Sequence, residues 1–215
     1  MKFTSQLLRK AERHVYRLQR SGYEALRKGN LRKWNKIQKL LLRSYYARVL
    51  ARYKVTKVNQ GRKTKGIDGK RINPKSTRQM RLNLRKIKKI VTGKEKWVHL
   101  PIKRVEIPKP DGKKRPLGIP TQFDRVMQAM VNNILFVVQE FQIANNGIKS
   151  FGFRKGFKTA DAIVTLKTYV WKGKNARVIE ADIEQCFDKI NHAKILEILK
   201  NYNCIERITE RVKGV

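Results

Sequence analysis

The chain has 215 residues, with 52 lysines and arginines against 16 aspartates and glutamates, a formal charge of +36. A folded protein tolerates that self-repulsion when an anionic partner neutralises it, either nucleic acid or an anionic membrane. No apolar run reaches the roughly 18–20 residues needed to span a bilayer, and basic residues on nearly every helical face exclude a clean membrane-surface helix, so nucleic acid is the expected partner. Hydrophobic residues make up 40% of the chain, enough for a core and too many for wholesale disorder.

The charge is uneven. Residues 1–100 hold 31 basic and 4 acidic side chains, net +27, while residues 101–215 hold 21 and 12, net +9. In the first half Leu8, Ala11, Val15 and Leu18 recur at helical spacing. Leu31, Trp34, Ile37, Leu41 and Tyr45 do so again after a break at Gly29-Asn30. Two amphipathic helices with basic outer faces are predicted. Opposite-sign pairs at helical spacing are nearly absent, which favours contact with RNA phosphates over a merely solvated charge face. The first twenty residues, arginine-rich and acid-poor, read either as a transit peptide or as an ordinary first helix.

Residues 59–75, NQGRKTKGIDGKRINPK, read as a loop with three glycines and a proline. A capping box from Ser76 to Gln79 opens the next helix, with Met80, Leu84, Ile87 and Val91 on its apolar side. A two-stranded unit follows Gly93: KRVEIP, with Val105 and Ile107 on one face, a Pro-Asp-Gly turn at 110–112, then KKRPLGIP. Lys109, Lys113, Lys114 and Arg115 surround that turn. They form either a solvated basic turn or a finger whose cations close on a triphosphate. A long helix is predicted after Thr121, with Val126, Met130, Ile134, Val137 and Phe141 on its buried side. Another runs from Thr159 through Ile163, Leu166 and Val170, and a last one begins near His192.

Between these helices, ARVIEADI at 176–183 reads as a strand with Val178, Glu180 and Asp182 on one face. A carboxylate fixed at a strand end suits Mg²⁺, which takes oxygen ligands; the plainer alternative is a half-buried strand with its acidic side in solvent. The fold class is α+β, with a sheet begun but not completed. Cys186 and Cys204, without a CxxC or paired histidines, exclude a zinc knuckle, give no sign of a secreted disulfide scaffold and fit a reducing compartment.

Four stretches together resemble one family: KTKGIDGK at 63–70, RVEIPKPDGKKRPLGIPTQFDRVMQAMV at 104–131, SFGFRKGFKTADAI at 150–163 and ADIEQCFDKINHAKIL at 181–196. They are similar, in order and separation, to the motifs of the reverse transcriptases encoded within group II introns, also called maturases. The resemblance implies right-hand polymerase fingers plus the beginning of a palm, preceded by a basic helical N-terminal region. The corresponding divisions are 1–75 for RNA binding, 76–176 for the fingers with their β-hairpin, and 177–215 for the start of the palm, stopping before the family's Tyr-x-Asp-Asp motif. It further implies that Asp182 is the first catalytic carboxylate, holding Mg²⁺ with the main-chain carbonyl of Ile183. By the same resemblance Phe187 is the gate against a ribose 2′-hydroxyl, Lys109 and Arg115 contact the incoming triphosphate, and Arg154 supports template or nucleotide. Lys155 stands where the family commonly has proline, a departure that loosens the turn after Arg154.

The implied function is binding of group II intron RNA to assist splicing, with a contribution to RNA-directed DNA synthesis. The implied partners are that RNA, DNA, and a second polypeptide carrying the rest of the palm and thumb, in a plastid or the bacterial cytoplasm. No Asp-Asp pair occurs in the 215 residues, and two-metal catalysis needs carboxylates converging on ions about 4 Å apart. The chain is therefore expected not to polymerise DNA alone, whether as a split subunit, a truncated reading frame or a fragment kept for RNA binding. Ile179 and Ile183, lacking neighbouring strands, are expected to make it sticky. The alternative is a non-enzymatic basic RNA-binding protein.

Overall fold

The computed structural model describes residues 3–108, 110, 112, 114–147, 149–172, 177, 179–184 and 186–204, with Phe187 and Asp188 described in their backbone only. The Thr4 hydroxyl accepts the Leu7 N–H at 3.2 Å and opens α1, Ser5–Arg27. Gly29 at φ +65° turns the chain, and the Asn30 side chain accepts from Lys33 N at 2.9 Å to open α2, Leu31–Arg43. The helix expected to run on to Tyr45 instead ends at Arg43. Ser44 is extended (φ −61°, ψ 127°) and its hydroxyl caps a further helix, α3, Tyr45–Tyr53, through Ala47 N. Tyr45 keeps the helical spacing of the apolar residues before it, which hides the break from a periodicity argument. Leu31, placed on the apolar stripe by that spacing, is at the exposed first position of α2.

α3 passes into one π turn, Lys54–Val58, and then a 3₁₀ turn, Gln60–Lys63. α4 spans Thr77–Thr92; Ser76 Oγ accepts Gln79 N at 3.2 Å, and Gly93 at φ +80° ends the helix. The expected reciprocal bond of the capping box is redirected: Gln79 Oε1 accepts Asn73 N at 2.8 Å, tying the loop rather than Ser76 to the helix start. Strands β1, Lys103–Pro108, and β2, Lys114–Ile119, pair antiparallel with Val105 opposite Leu117 and Ile107 opposite Arg115. Among the described residues four helices follow: α5 (Gln122–Asn145), α6 (Thr159–Lys172), the short α7 (Cys186–Lys189) and α8 (His192–Asn201).

The strand expected over 176–183 is not formed by its described residues, 177 and 179–183, which carry no strand conformation. Among the described residues β1 and β2 make the one sheet. A strand exists through hydrogen bonds to a neighbour; the hairpin satisfies itself, so Ile179 and Ile183 remain 91% and 71% exposed. Likewise Ile163, Leu166 and Val170 lie on α6 as its periodicity predicts, but they face solvent rather than a core.

The architecture is helix-rich with a small antiparallel sheet, and its main hydrophobic core takes side chains from both sides of residue 75. Trp34, Leu41, Ala47 and Val55 meet Ile87 of α4, Met127, Met130 and Ile134 of α5, and Leu199 of α8. The Trp34 indole N–H donates to Tyr202 O at 2.9 Å and Gln38 Nε2 to Asn203 O at 2.9 Å, so the end of α8 is fastened to α2. Burial beside this contact pushes the Cys204 thiol up to about 11, marking it as a packing residue. α1 and α2 approach closely at Gly22, where a Cβ would stand 2.8 Å from the Trp34 ring. Gly22→Ala is therefore expected to lower thermal stability despite the better helix propensity of alanine. Overpacking of this kind costs about 1–3 kcal/mol, and each kcal/mol lowers the melting temperature of a chain this size by roughly 2–4 °C. An unchanged or higher melting temperature in a calorimetric scan contradicts this packing.

Candidate nucleic-acid and nucleotide site

The hairpin is joined to the helical core by four side chains at the start of α5, those of the N-cap Thr121 and of Gln122, Asp124 and Arg125. Thr121 Oγ1 accepts Asp124 N at 3.1 Å and donates to Asp124 Oδ2 at 2.6 Å, while Asp124 Oδ1 accepts the Trp97 indole N–H at 2.9 Å. Gln122 works in both directions: its Oε1 accepts Ile72 N at 2.6 Å and its Nε2 donates to Arg62 O at 2.8 Å. Arg125 donates from Nε to Pro120 O at 3.1 Å, from Nη1 to Gly61 O at 2.9 Å and from Nη2 to Thr64 O at 2.5 Å. Burial pushes the Arg125 guanidinium below its ordinary value, with the Asp68 carboxylate opposing that shift. A side chain at Gly66 would place its Cβ 2.6 Å from Thr121 Cα, so the loop comes this near only because position 66 is glycine. The Gly-Ile-Asp-Gly loop and the end of the hairpin are thus one packed unit.

The residues singled out from sequence are distributed around this unit. Arg115 is exposed on β2, and its neighbour Lys114 pairs across the hairpin with Glu106 at 3.2 Å, an exposed ion pair of little energetic weight. Lys109 lies outside the described residues. Arg154 forks onto Glu140 of α5, Nε to Oε1 at 2.9 Å and Nη2 to Oε2 at 2.7 Å. Its Nη1 donates to Ser150 O at 2.5 Å, and its guanidinium lies 4.1 Å from the centre of the Phe157 ring. The bond to Glu140 raises the Arg154 pKa. Asp182 is exposed, its Oδ1 accepting the N–H of Ile183 at 2.9 Å. Phe187 belongs to α7, its side chain outside the described set. Among the described residues no hydrogen bond, ion pair or ring contact joins Asp182 to Arg115 or Arg154.

Cations cover the outer faces of the helices. Arg9, Arg13 and Arg17 of α1, Lys36, Lys39 and Arg43 of α2, and Arg81, Arg85 and Lys88 of α4 are all exposed. Among the described residues the one ion pair within 3–100 is Arg27–Glu24. Two further arginines point inward without a carboxylate. Arg48 Nη1 donates to Leu84 O at 2.7 Å, and Arg52 Nη2 to Asn73 O at 2.9 Å beneath the Phe3 ring. Burial pushes both pKa values down, and Nε and Nη1 of Arg52 have no hydrogen-bond partner.

Known proteins bear on this arrangement directly. The model of the N-terminal domain of reverse transcriptase matches residues 6–85, and the model of reverse transcriptase (RNA-dependent DNA polymerase) matches residues 107–213. Over 111 residues the chain is 35% identical to the putative COX1/OXI3 intron 1 protein of Saccharomyces cerevisiae, covering 52% of this chain and 12% of that protein. Over 117 residues it is 34% identical to the group II intron-encoded protein LtrA of Lactococcus lactis, covering 53% and 19%. The chain belongs to the reverse transcriptases of the group II intron-encoded type. A third relative, protein YkfC of Escherichia coli, is 31% identical over 153 residues, covering 68% and 38%. This reverse transcriptase chain thus spans well under half the length of each of these relatives.

Divalent-metal chemistry is general in reverse transcriptases, and the described residues supply only part of a site for the Mg²⁺ expected from the sequence. The Asp182 carboxylate and the Ile183 carbonyl are oxygen donors of the right kind. No group of three His, Cys, Asp or Glu side chains able to hold a metal is found among the described residues. Two oxygens do not close an octahedral shell, so no catalytic step follows from this geometry.

The clamp at 121–125 was missed in the sequence, although one part of it was visible: Thr121-x-x-Asp124 has the spacing of a capping box. Here the carboxylate serves a hydroxyl and an indole rather than the backbone, which no pattern announces. Because Arg125 holds two loop carbonyls, Arg125→Ala is expected to free residues 59–72 while leaving the core formed. Limited trypsinolysis checks this: cleavage at Lys63, Lys65 and Lys70 should accelerate by about tenfold or more, since losing hydrogen bonds from a charged donor costs about 1.5–3 kcal/mol each. Unchanged cleavage at those lysines contradicts the clamp.

Proposed function

We propose that this chain binds group II intron RNA through the basic outer faces of α1, α2 and α4, assisting its splicing, and contributes one side of an RNA-directed DNA polymerase site. In this reading residues 1–75 are the RNA-binding region, residues 76–176 are the fingers of a right-hand polymerase, whose α4 extends the basic surface, and residues 177–215 begin its palm. The observation that carries it is the solvent-facing array of cations on helices whose opposite faces share one core, with almost no carboxylates nearby. Cations held without intramolecular partners are available to phosphates, and the release of counterions on binding makes affinity steeply salt-dependent.

The polymerase half of the proposal rests on the family. Arg115, near the start of β2 in a hairpin whose base is clamped, contacts the incoming triphosphate together with Lys109. Asp182 and the Ile183 carbonyl contribute to holding Mg²⁺, and Phe187 rejects a ribose. The remaining metal ligands lie outside these residues, on the same or a second polypeptide. Arg154, its fork given to Glu140, serves by holding the 150–157 turn against α5 rather than by reaching a phosphate. A plastid or the bacterial cytoplasm is the proposed compartment.

Binding to a group II intron RNA and to an unrelated RNA duplex at matched salt tests the RNA half. The intron RNA is expected to bind more tightly. Combining Arg81→Ala, Arg85→Ala and Lys88→Ala should make the slope of log affinity against log salt shallower, by about one for each phosphate that is no longer neutralised. Equal affinity for the two RNAs contradicts the splicing role. For the polymerase half, Asp182→Asn in a system that supplies the remaining carboxylates should abolish DNA synthesis and leave RNA affinity unchanged. Synthesis that persists removes Asp182 from the site.

A further inference from the structure

A cleft of about 550 Å³ lies between the π turn at 54–58 and the first half of α5, beside the clamp and sharing Trp97, Pro120 and Arg125 with it. Its apolar lining includes Val55, Ala129 and Leu135, and the carboxamides of Asn59, Gln128 and Asn132 also line it. The π turn helps to shape it. The Asn59 N–H donates to Lys54 O at 2.9 Å, a five-residue step that widens the backbone and sets Asn59 beside the opening. Trp97 supplies an aromatic wall. Its indole N–H is already committed to Asp124, and its ring stands 4.2 Å from the His99 ring, so its orientation is fixed before any ligand arrives.

The polar groups around this cleft differ in what they have left to give. Arg125 also lines it, but its donors are committed to three carbonyls. Lys54, exposed, is the remaining cation. No side-chain hydrogen bond engages Asn59, Gln128 or Asn132 among the described residues, although Asn59 and Gln128 are half-buried. Half-buried amides without partners are poised for a ligand that offers both a donor and an acceptor. A single lysine does not suit a free nucleoside triphosphate. A flat apolar body with a mixed donor–acceptor edge, on a backbone held elsewhere by cations, describes a base splayed out of RNA. A carboxamide matches adenine best, through its adjacent N6 donor and N7 acceptor.

We propose that this cleft holds an unpaired adenine of the bound RNA, stacked against Trp97 and read by the carboxamides of Gln128 and Asn132. The proposal rests on the RNA-binding reading above and adds a specific contact to its charge-driven one. The basic helices supply affinity for any structured RNA, and the cleft supplies preference.

The test uses three labelled RNA hairpins, identical except for one bulged adenine, one bulged uridine, or no bulge, titrated with the full chain at one salt concentration. The bulged-adenine hairpin is expected to bind about tenfold tighter than the paired one, with N7 of that adenine protected from diethyl pyrocarbonate. Gln128→Ala with Asn132→Ala should bring the three affinities within about twofold and remove the protection, leaving paired-hairpin affinity and the thermal melt unchanged. If that double variant unfolds, Asn132→Asp, which swaps a donor for an acceptor at an exposed position, should reduce the adenine preference by itself. Equal binding of all three hairpins by the unaltered chain overturns the proposal while leaving the RNA-binding reading intact, as does a preference that survives the substitutions. Failure to bind any hairpin removes both.

Discussion

Arg125 spends its planar fork on main-chain carbonyls, two from the glycine-rich loop and one from the residue where the hairpin ends. Hydrogen bonds from a charged donor are worth about twice those between neutral groups, and here they span more than sixty residues of sequence. Gln122 repeats the arrangement with one carboxamide reaching two loop backbones. Asp124 brings in Trp97 from the segment that leads into β1. Loop, hairpin base and helical core therefore share one joint. Anything the exposed hairpin tip does to a ligand is referred, through that joint, to the helices that carry the basic faces.

The second constraint is charge. With a net of +36, most cations have no intramolecular carboxylate, and the fold deals with them in two ways. Those on α1, α2 and α4 point outward, where water screens them and phosphates can replace water. Arg48 and Arg52 point inward and lean on carbonyl oxygens and aromatic rings. A buried guanidinium with two unpartnered N–H-bearing nitrogens is a costly arrangement, and at Arg52 the Phe3 ring is its aromatic neighbour.

Where one helix packs one continuous face, the sequence was a sufficient guide. Met80, Leu84, Ile87 and Val91 on α4, and Val126, Met130, Ile134 and Val137 on α5, are buried as their spacing requires. The hairpin was legible from its turn chemistry. Where a single residue interrupts a periodic pattern, as Ser44 does, or where burial needs a neighbour from elsewhere, as for Ile163 and Ile179, periodicity carried no information about the outcome. Of the site residues, Arg154 shows the limit most plainly. Its place in the Phe-Gly-Phe-Arg motif gives no hint of Glu140, which lies on α5 and takes two nitrogens of the guanidinium. Apart from its local Thr121–Asp124 bond, the clamp was illegible for the same reason, being made of bonds from polar side chains to groups distant in sequence.

The amide of Ile72 reports on the clamp most directly, because its N–H is held by Gln122 Oε1 at 2.6 Å in a segment with no secondary structure of its own. Native-state hydrogen exchange should show that amide opening at a free energy within about 1–2 kcal/mol of the core amides of Met130 and Ile134. Exchange at the rate of an exposed, unbonded loop would contradict a joint that ties the glycine-rich loop to α5.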